Sequence, residues 1–219
     1  EAMLAATPLS PQDIIGEIPP NWGSAAVEKL AVNAVMAGCR PEYLPVVIAA
    51  VEAMCDEVFN LYAIQATTHP CAPLIIVNGP ICDDLGLHGG SGAFGPGWQP
   101  NATIGRAVRL VQLNVGGAHP GVGDMSTQGA PSKYTYCVAE NEEANPWEPL
   151  HIERGFRADQ STVTVLAGEP PHNINDHSGS TAEDILTIIS GAISITGANN
   201  AYTGGETLLA LGPEHAATI

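Results

Sequence analysis

Five short apolar runs punctuate the chain, and each stops at a small, polar or Gly/Pro-containing segment. They cover residues 61–67, 74–77, 134–138, 163–166 and 208–211. The stops are Thr68-His69-Pro70-Cys71, Asn78-Gly79-Pro80, Ala139-Glu140-Asn141-Glu142, Gly168-Glu169-Pro170 and Gly212-Pro213-Glu214-His215. Runs of this length without polar alternation predict strands buried on both faces, as in a parallel sheet. Ligands of open α/β sheets sit outside the carboxyl ends of the strands. The pattern therefore points to a place, the segments just past the runs, before it points to a reaction.

Helical patterns lie around and between these runs. Over residues 24–39, Ala26, Val27, Leu30, Ala31, Ala34 and Val35 fall on one stripe, with Ser24 placed to cap. Residues 41–55 begin with a proline in the first turn, where its missing N–H costs nothing. The two predict an N-terminal helical hairpin turned at Gly38-Cys39-Arg40. Further helices are predicted over 102–115 and 181–195. Residues 1–22 are proline-rich and end in Pro19-Pro20-Asn21-Trp22, which predicts an arm without regular structure, anchored by Trp22. The expected architecture is α/β, a largely parallel sheet of about five strands with flanking helices. Residues 23–219 are expected to form a single domain that continues beyond Ile219.

Composition narrows the function classes. A chain of 219 residues suffices for one well-buried core. It is 45% hydrophobic and only 14% charged, which leaves room for burial against other subunits, so a homo- or hetero-oligomer is expected. Seven Lys and Arg against 23 Asp and Glu give a formal charge of -16, which repels nucleic acid and anionic lipid. Neither is expected as a partner; a small-molecule substrate is. Five cysteines, none in a CxxC pair, argue against a closed disulfide framework and favour a reducing, cytoplasmic setting. No apolar stretch is long enough to span a bilayer.

Four segments carry candidate chemistry. Residues 90–95 match GxGxxG, but the motif neither follows a strand directly nor opens a helix, so a dinucleotide site is not supported. Instead, the glycine-rich loop 89–97 leads to a helix capped by Asn101, where free amides and the helix dipole suit an anion. Asn78, Gly95, Gly97, Asn101 and Arg106 are the candidate anion-binding residues. The alternative is that Arg106 or Arg109 pairs with a carboxylate of the acidic turn. That turn, Glu140-Asn141-Glu142-Glu143 with Trp147 and His151 downstream, can supply an acid and a base, can ligate a hard metal, or can be a solvated loop. In the loop 172–178, His172, Asp176 and His177 can hold a metal, or Asp176 can orient His177 as a base. The same residues before a helix can equally serve as caps. His215 can converge on the same crevice. Cys71, beside His69, is the one cysteine at the end of a run and is either a nucleophile or a small buried residue. Catalytic candidates are thus Glu140, Glu142, His177 and Cys71.

Several strings carry a family resemblance: residues 18–23 (Ile-Pro-Pro-Asn-Trp-Gly), 27–39, 73–80 (Pro-Leu-Ile-Ile-Val-Asn-Gly-Pro), 105–110, and Ala139-Glu140-Asn141-Glu142-Glu143 with Pro146-Trp147. Over most of its length the chain resembles the UGSC family of (seleno)proteins. These are named for a Sec/Cys-Gly-Ser-Cys motif similar to that of glycine-reductase-type enzymes. No such motif occurs here, so the resemblance implies a redox centre on another segment or subunit and transfers no catalytic residue.

Three functions follow as expectations. The first is an enzyme domain or subunit that binds a small anionic substrate and uses a thiol or selenol supplied from elsewhere for redox or cleavage chemistry. The second is a metal-dependent hydrolase or lyase. The third is a non-catalytic structural subunit. No organic cofactor is identified; a metal is possible within the His172, Asp176, His177 set.

Overall fold

The apolar run 74–77 lies in the centre of the molecule's main sheet. In the computed structural model, which describes residues 1–95, 97–199 and 205–219, strand β3 spans Ala72–Asn78 and every one of its seven residues is buried. Pro96 of the glycine-rich loop falls outside the described residues. The chain folds into two compact units, Glu1–Asn141 with Pro149–Pro170, and Glu142–Glu148 with Pro171–Ile219.

In the first unit, β3 is flanked by β4 (Cys137–Ala139) and β5 (Thr162–Gly168) in the order β4-β3-β5. β4 is parallel to β3, in register Ile75↔Cys137 to Val77↔Ala139. β5 is antiparallel along the whole strand, from Ala72↔Gly168 to Asn78↔Thr162. The sheet is therefore mixed and three-stranded, not largely parallel with about five strands. Pro73 is accommodated in the central strand because β4 begins pairing only at Ile75, whose N–H reaches the Tyr136 carbonyl. The missing N–H of Pro73 lies on that same side, ahead of the ladder.

Side chains alternate across β3 with period two. Ile75 and Val77 enter the main core with Leu30, Leu44, Val47, Val51, Ile104 and Val108, whereas Leu74 and Ile76 join Val138, Leu150 and Leu166 in a smaller cluster. The main core is built by helices α1 (Val27–Ala37), α2 (Leu44–Cys55) and α5 (Gln99–Asn114). α1 packs on α5 and α2, while α5 also meets β4 and α2 also meets β5. Gly38 ends α1 at φ 87°, a left-handed conformation in which its N–H reaches the Ala34 and Val35 carbonyls.

Three other expectations change. Residues 61–66 form helix α3 (Leu61–Ala66), not a strand: Asn60 accepts from the Ala63 N–H at 3.3 Å, and the buried positions Leu61 and Gln65 are one helical turn apart. The run 134–138 is strand only from Cys137, since Tyr134 is 70% exposed at the end of a single helical turn. The run 208–211 forms no strand; Leu208 and Leu209 are solvent-exposed and lack a strand to pair with among the described residues.

The amino-terminal arm is also more regular than its prolines suggest. β1 (Ile14–Ile18) and β2 (Gly23–Ala26) form an antiparallel ribbon around the Pro19-Pro20 turn. This places Ser24 in a strand, and Ala26 rather than Ser24 precedes α1. Ile18, fully buried, anchors the ribbon, while Trp22 is half-exposed and stacks on Tyr62.

Short helices α4 (Ile81–Leu85) and α6 (Leu150–Glu153) complete the first unit. The second unit contains α7 (Ala182–Ile193), opened by a reciprocal Thr181/Asp184 capping box, and α8 (Pro213–Thr218).

Candidate functional site

Strand direction decides which side chains meet. Because β5 runs antiparallel to β3, with Ala72 opposite Gly168, Glu169 emerges from β5 beside the segment that enters β3. That segment carries His69 and Cys71. One nitrogen of His69, Sγ of Cys71 and one carboxylate oxygen of Glu169 lie within 4.8 Å of one another, all half-buried. His69 Nδ1 is 3.7 Å from Glu169 Oε1. Among the described residues this is the group of three His, Cys, Asp or Glu side chains whose geometry suits a metal ion. Burial pushes the Cys71 thiol up from its ordinary value, the Glu169 charge pushes it further, and Lys133 partly opposes them. Burial and the Glu169 charge thus disfavour the thiolate form.

A second constellation abuts the first. Asp124, 3% exposed, accepts from Arg109 Nη2 at 3.0 Å, from Lys133 Nζ at 3.0 Å and from the Ser126 hydroxyl at 2.7 Å. Burial works against its charge, but Ser126 and Lys133 outweigh burial and hold the carboxyl below the ordinary carboxylate range. Arg109 is oriented further by Gln112 Oε1 and the Ala118 carbonyl. Two cations thus surround one carboxylate, and Arg106 adds like charge from the preceding turn of α5. Asp124 comes from the glycine-containing loop after α5, so the partner of Arg109 is not the acidic turn. Nothing in the sequence pattern singled out Asp124; it stands 15 residues beyond Arg109 in a loop with no periodicity.

At the opposite end of β3 lie the segments to which the parallel-strand rule pointed. Asn78, fully buried, donates to Glu140, and the same carboxylate accepts from the Leu150 N–H at 2.9 Å, tying α6 to the ends of β3 and β4. Two predicted residues are brought together here, and the Glu140 carboxylate is engaged in holding backbone. Asn101 lies in the first turn of α5, which begins at Gln99. Its side chain accepts from the His88 N–H at 2.9 Å and donates to the His88 and Cys137 carbonyls, clamping the glycine-rich loop to β4. Arg106 lies over the Tyr134 ring, 6.0 Å from its centroid. Gly95 and Gly97 face open space.

The remaining predicted residues, Glu142, His172, Asp176 and His177, belong to the second unit. Asp176 Oδ1 accepts from the Ser178 and Gly179 N–H groups at 2.9 and 2.8 Å, and these bonds, ahead of nearby His215 and His177, keep its carboxyl below the ordinary range. This is a turn-forming role. Comparison with protein-family models, with curated proteins and with solved structures found no match for this chain.

Proposed function

We propose that this chain is a metal-dependent enzyme domain of the hydrolase or lyase type, with a divalent ion of the zinc class held by His69, Cys71 and Glu169 and a small anionic molecule as substrate. The observation that carries the reading is the approach of the three ligand atoms. Donors bound to one tetrahedral ion at ~2.0–2.3 Å lie roughly 3.3–3.8 Å apart. The His69–Glu169 separation of 3.7 Å is within about 0.4 Å of the nitrogen–oxygen edge of such a tetrahedron. A nitrogen, a sulfur and an oxygen donor together suit an ion of borderline softness, and three protein ligands with partial exposure leave a position open to water or substrate. An ion so placed polarises a carbonyl or lowers the pKa of water. The neighbouring Arg109, Lys133 and Arg106 favour an anionic substrate in an otherwise acidic chain.

A second reading is supported by the sequence strings similar to the UGSC proteins: a substrate-binding partner for a thiol or selenol carried elsewhere. Metal titration separates the two. Purified chain is expected to bind one zinc ion by calorimetry, with cobalt(II) giving a thiolate charge-transfer band that disappears in Cys71→Ser. Affinity is expected to fall at least ~10-fold in His69→Ala and Glu169→Ala, in keeping with the loss of a direct ligand. Zinc binding that is absent in the native chain, or unchanged in all three variants, overturns the metal reading.

A further inference from the structure

β5 is an outer strand of the main sheet, and β3 is its one strand partner among the described residues. The pairing of β3 shows which backbone groups of β5 face outward. The Ile75 N–H reaches the Tyr136 carbonyl and the Val77 carbonyl accepts from the Glu140 N–H, so these two residues face β4. Leu74, Ile76 and Asn78 therefore face β5, where they meet Leu166, Thr164 and Thr162. The N–H and C=O groups of the alternate residues Val163, Val165 and Ala167 point away from the sheet, and no hydrogen bond reaches them among the described residues.

Sheet edges are ordinarily blunted by a charge, a proline or a bulge. β5 has none of these: residues 160–168 read Gln-Ser-Thr-Val-Thr-Val-Leu-Ala-Gly, and the register with β3 is unbroken. Beside the strand, the helical turn Glu57–Phe59 leaves Val58 93% exposed. The outward residues are also symmetric about Val165, which makes the strand its own complement. Antiparallel to a second β5, Val165 pairs with Val165 and Val163 with Ala167, each pair exchanging two bonds. This register keeps the core-facing Val163 and Val165 of both copies on one face and sets Glu169 opposite Ser161 instead of a second carboxylate. For a chain of formal charge -16, an uncharged edge is where a second copy approaches with least repulsion. We propose that β5 is the interface of a two-fold homodimer, in which the sheets of two copies join edge to edge into one. The inference is independent of the metal reading.

Sedimentation velocity of the whole chain over a range of micromolar concentrations tests it, with amide exchange as the local readout. A dimer is expected, with the Val163, Val165 and Ala167 amides slowed although nothing within one copy bonds them. Ala167→Pro removes an outward N–H at an exposed position and leaves the pairing with β3 intact. Symmetry deletes the bond twice, so the dimer is expected to weaken at least ~10-fold. Ala167→Lys, which keeps the N–H but charges the edge, is expected to act in the same direction and answers the question if the proline variant does not fold. A monomer at every concentration overturns the proposal. So does a dimer that the folded variants leave unchanged, which would move the interface to another surface, such as the exposed Val32, Val35 and Met36 of α1.

Discussion

Replacing Asp124 with asparagine removes the only carboxylate from a buried group of three charges while changing the side chain's shape very little. The side chains of Arg109, Lys133 and Asp124 are 11%, 12% and 3% exposed, which places the cluster in the buried regime, where breaking a pair costs about 3–5 kcal/mol, and not in the surface regime of about 0–1 kcal/mol. The asparagine oxygen can keep the Ser126 hydroxyl bond, so the loss is concentrated in the two ion pairs and in the repulsion left between two cations. The lower end, about 3 kcal/mol, is therefore expected, equivalent to a Tm decrease of roughly 6–12 °C for a chain of this size. Lys133→Met should cost at least about 1 kcal/mol less than Asp124→Asn, because Asp124 then retains Arg109 and Ser126. Urea unfolding followed by circular dichroism, with the denaturant slope checked for constancy, measures both. An Asp124→Asn variant within about 1 kcal/mol of the parent, or a more severe Lys133→Met, would refute the reasoning and return the cluster to the surface class.

The same carboxylate gives a pH dependence of known sign. Its native pKa is depressed, so its contribution is fully present above the unfolded value of about 3.9 and is lost as pH falls through the lower native value; acid titration of stability below about pH 4 should show a smaller decline in Asp124→Asn than in the parent. Gly105→Ala should destabilise the first unit by about 1–3 kcal/mol, because the new methyl would collide with Thr135 Oγ1 and lie 2.6 Å from the Tyr136 nitrogen, and a thermal melt reads it directly. Thr181→Ala should cost about 1 kcal/mol through loss of the capping box, seen as faster amide exchange at Asp184 and its neighbours with zinc binding unchanged.

Several elements were written plainly in the residues. The run 74–77 became the buried central strand, and Gly38 ended a helix. Local patterns encode these because burial on both faces and the left-handed turn are properties of a few neighbouring residues. Residues 61–66 show the limit of that code: a short apolar run reads as strand or helix alike, and the Asn60 cap with Leu61 and Gln65 facing inward made it a helix.

What the tertiary structure alone decided was the direction of β5. With every strand parallel, Cys71 at the start of β3 and Glu169 at the end of β5 would stand at opposite edges of the sheet; the antiparallel register puts them side by side. An apolar run carries its side-chain period but not the direction of its neighbour, which is fixed by long-range pairing and by the path of the connecting chain. The same holds for Asp124, whose role comes from folding a glycine-containing loop back onto Arg109 and Lys133. The sequence by itself thus determined the strand core, while the donors around Cys71 and the charge beside it came from the meeting of segments far apart in the chain.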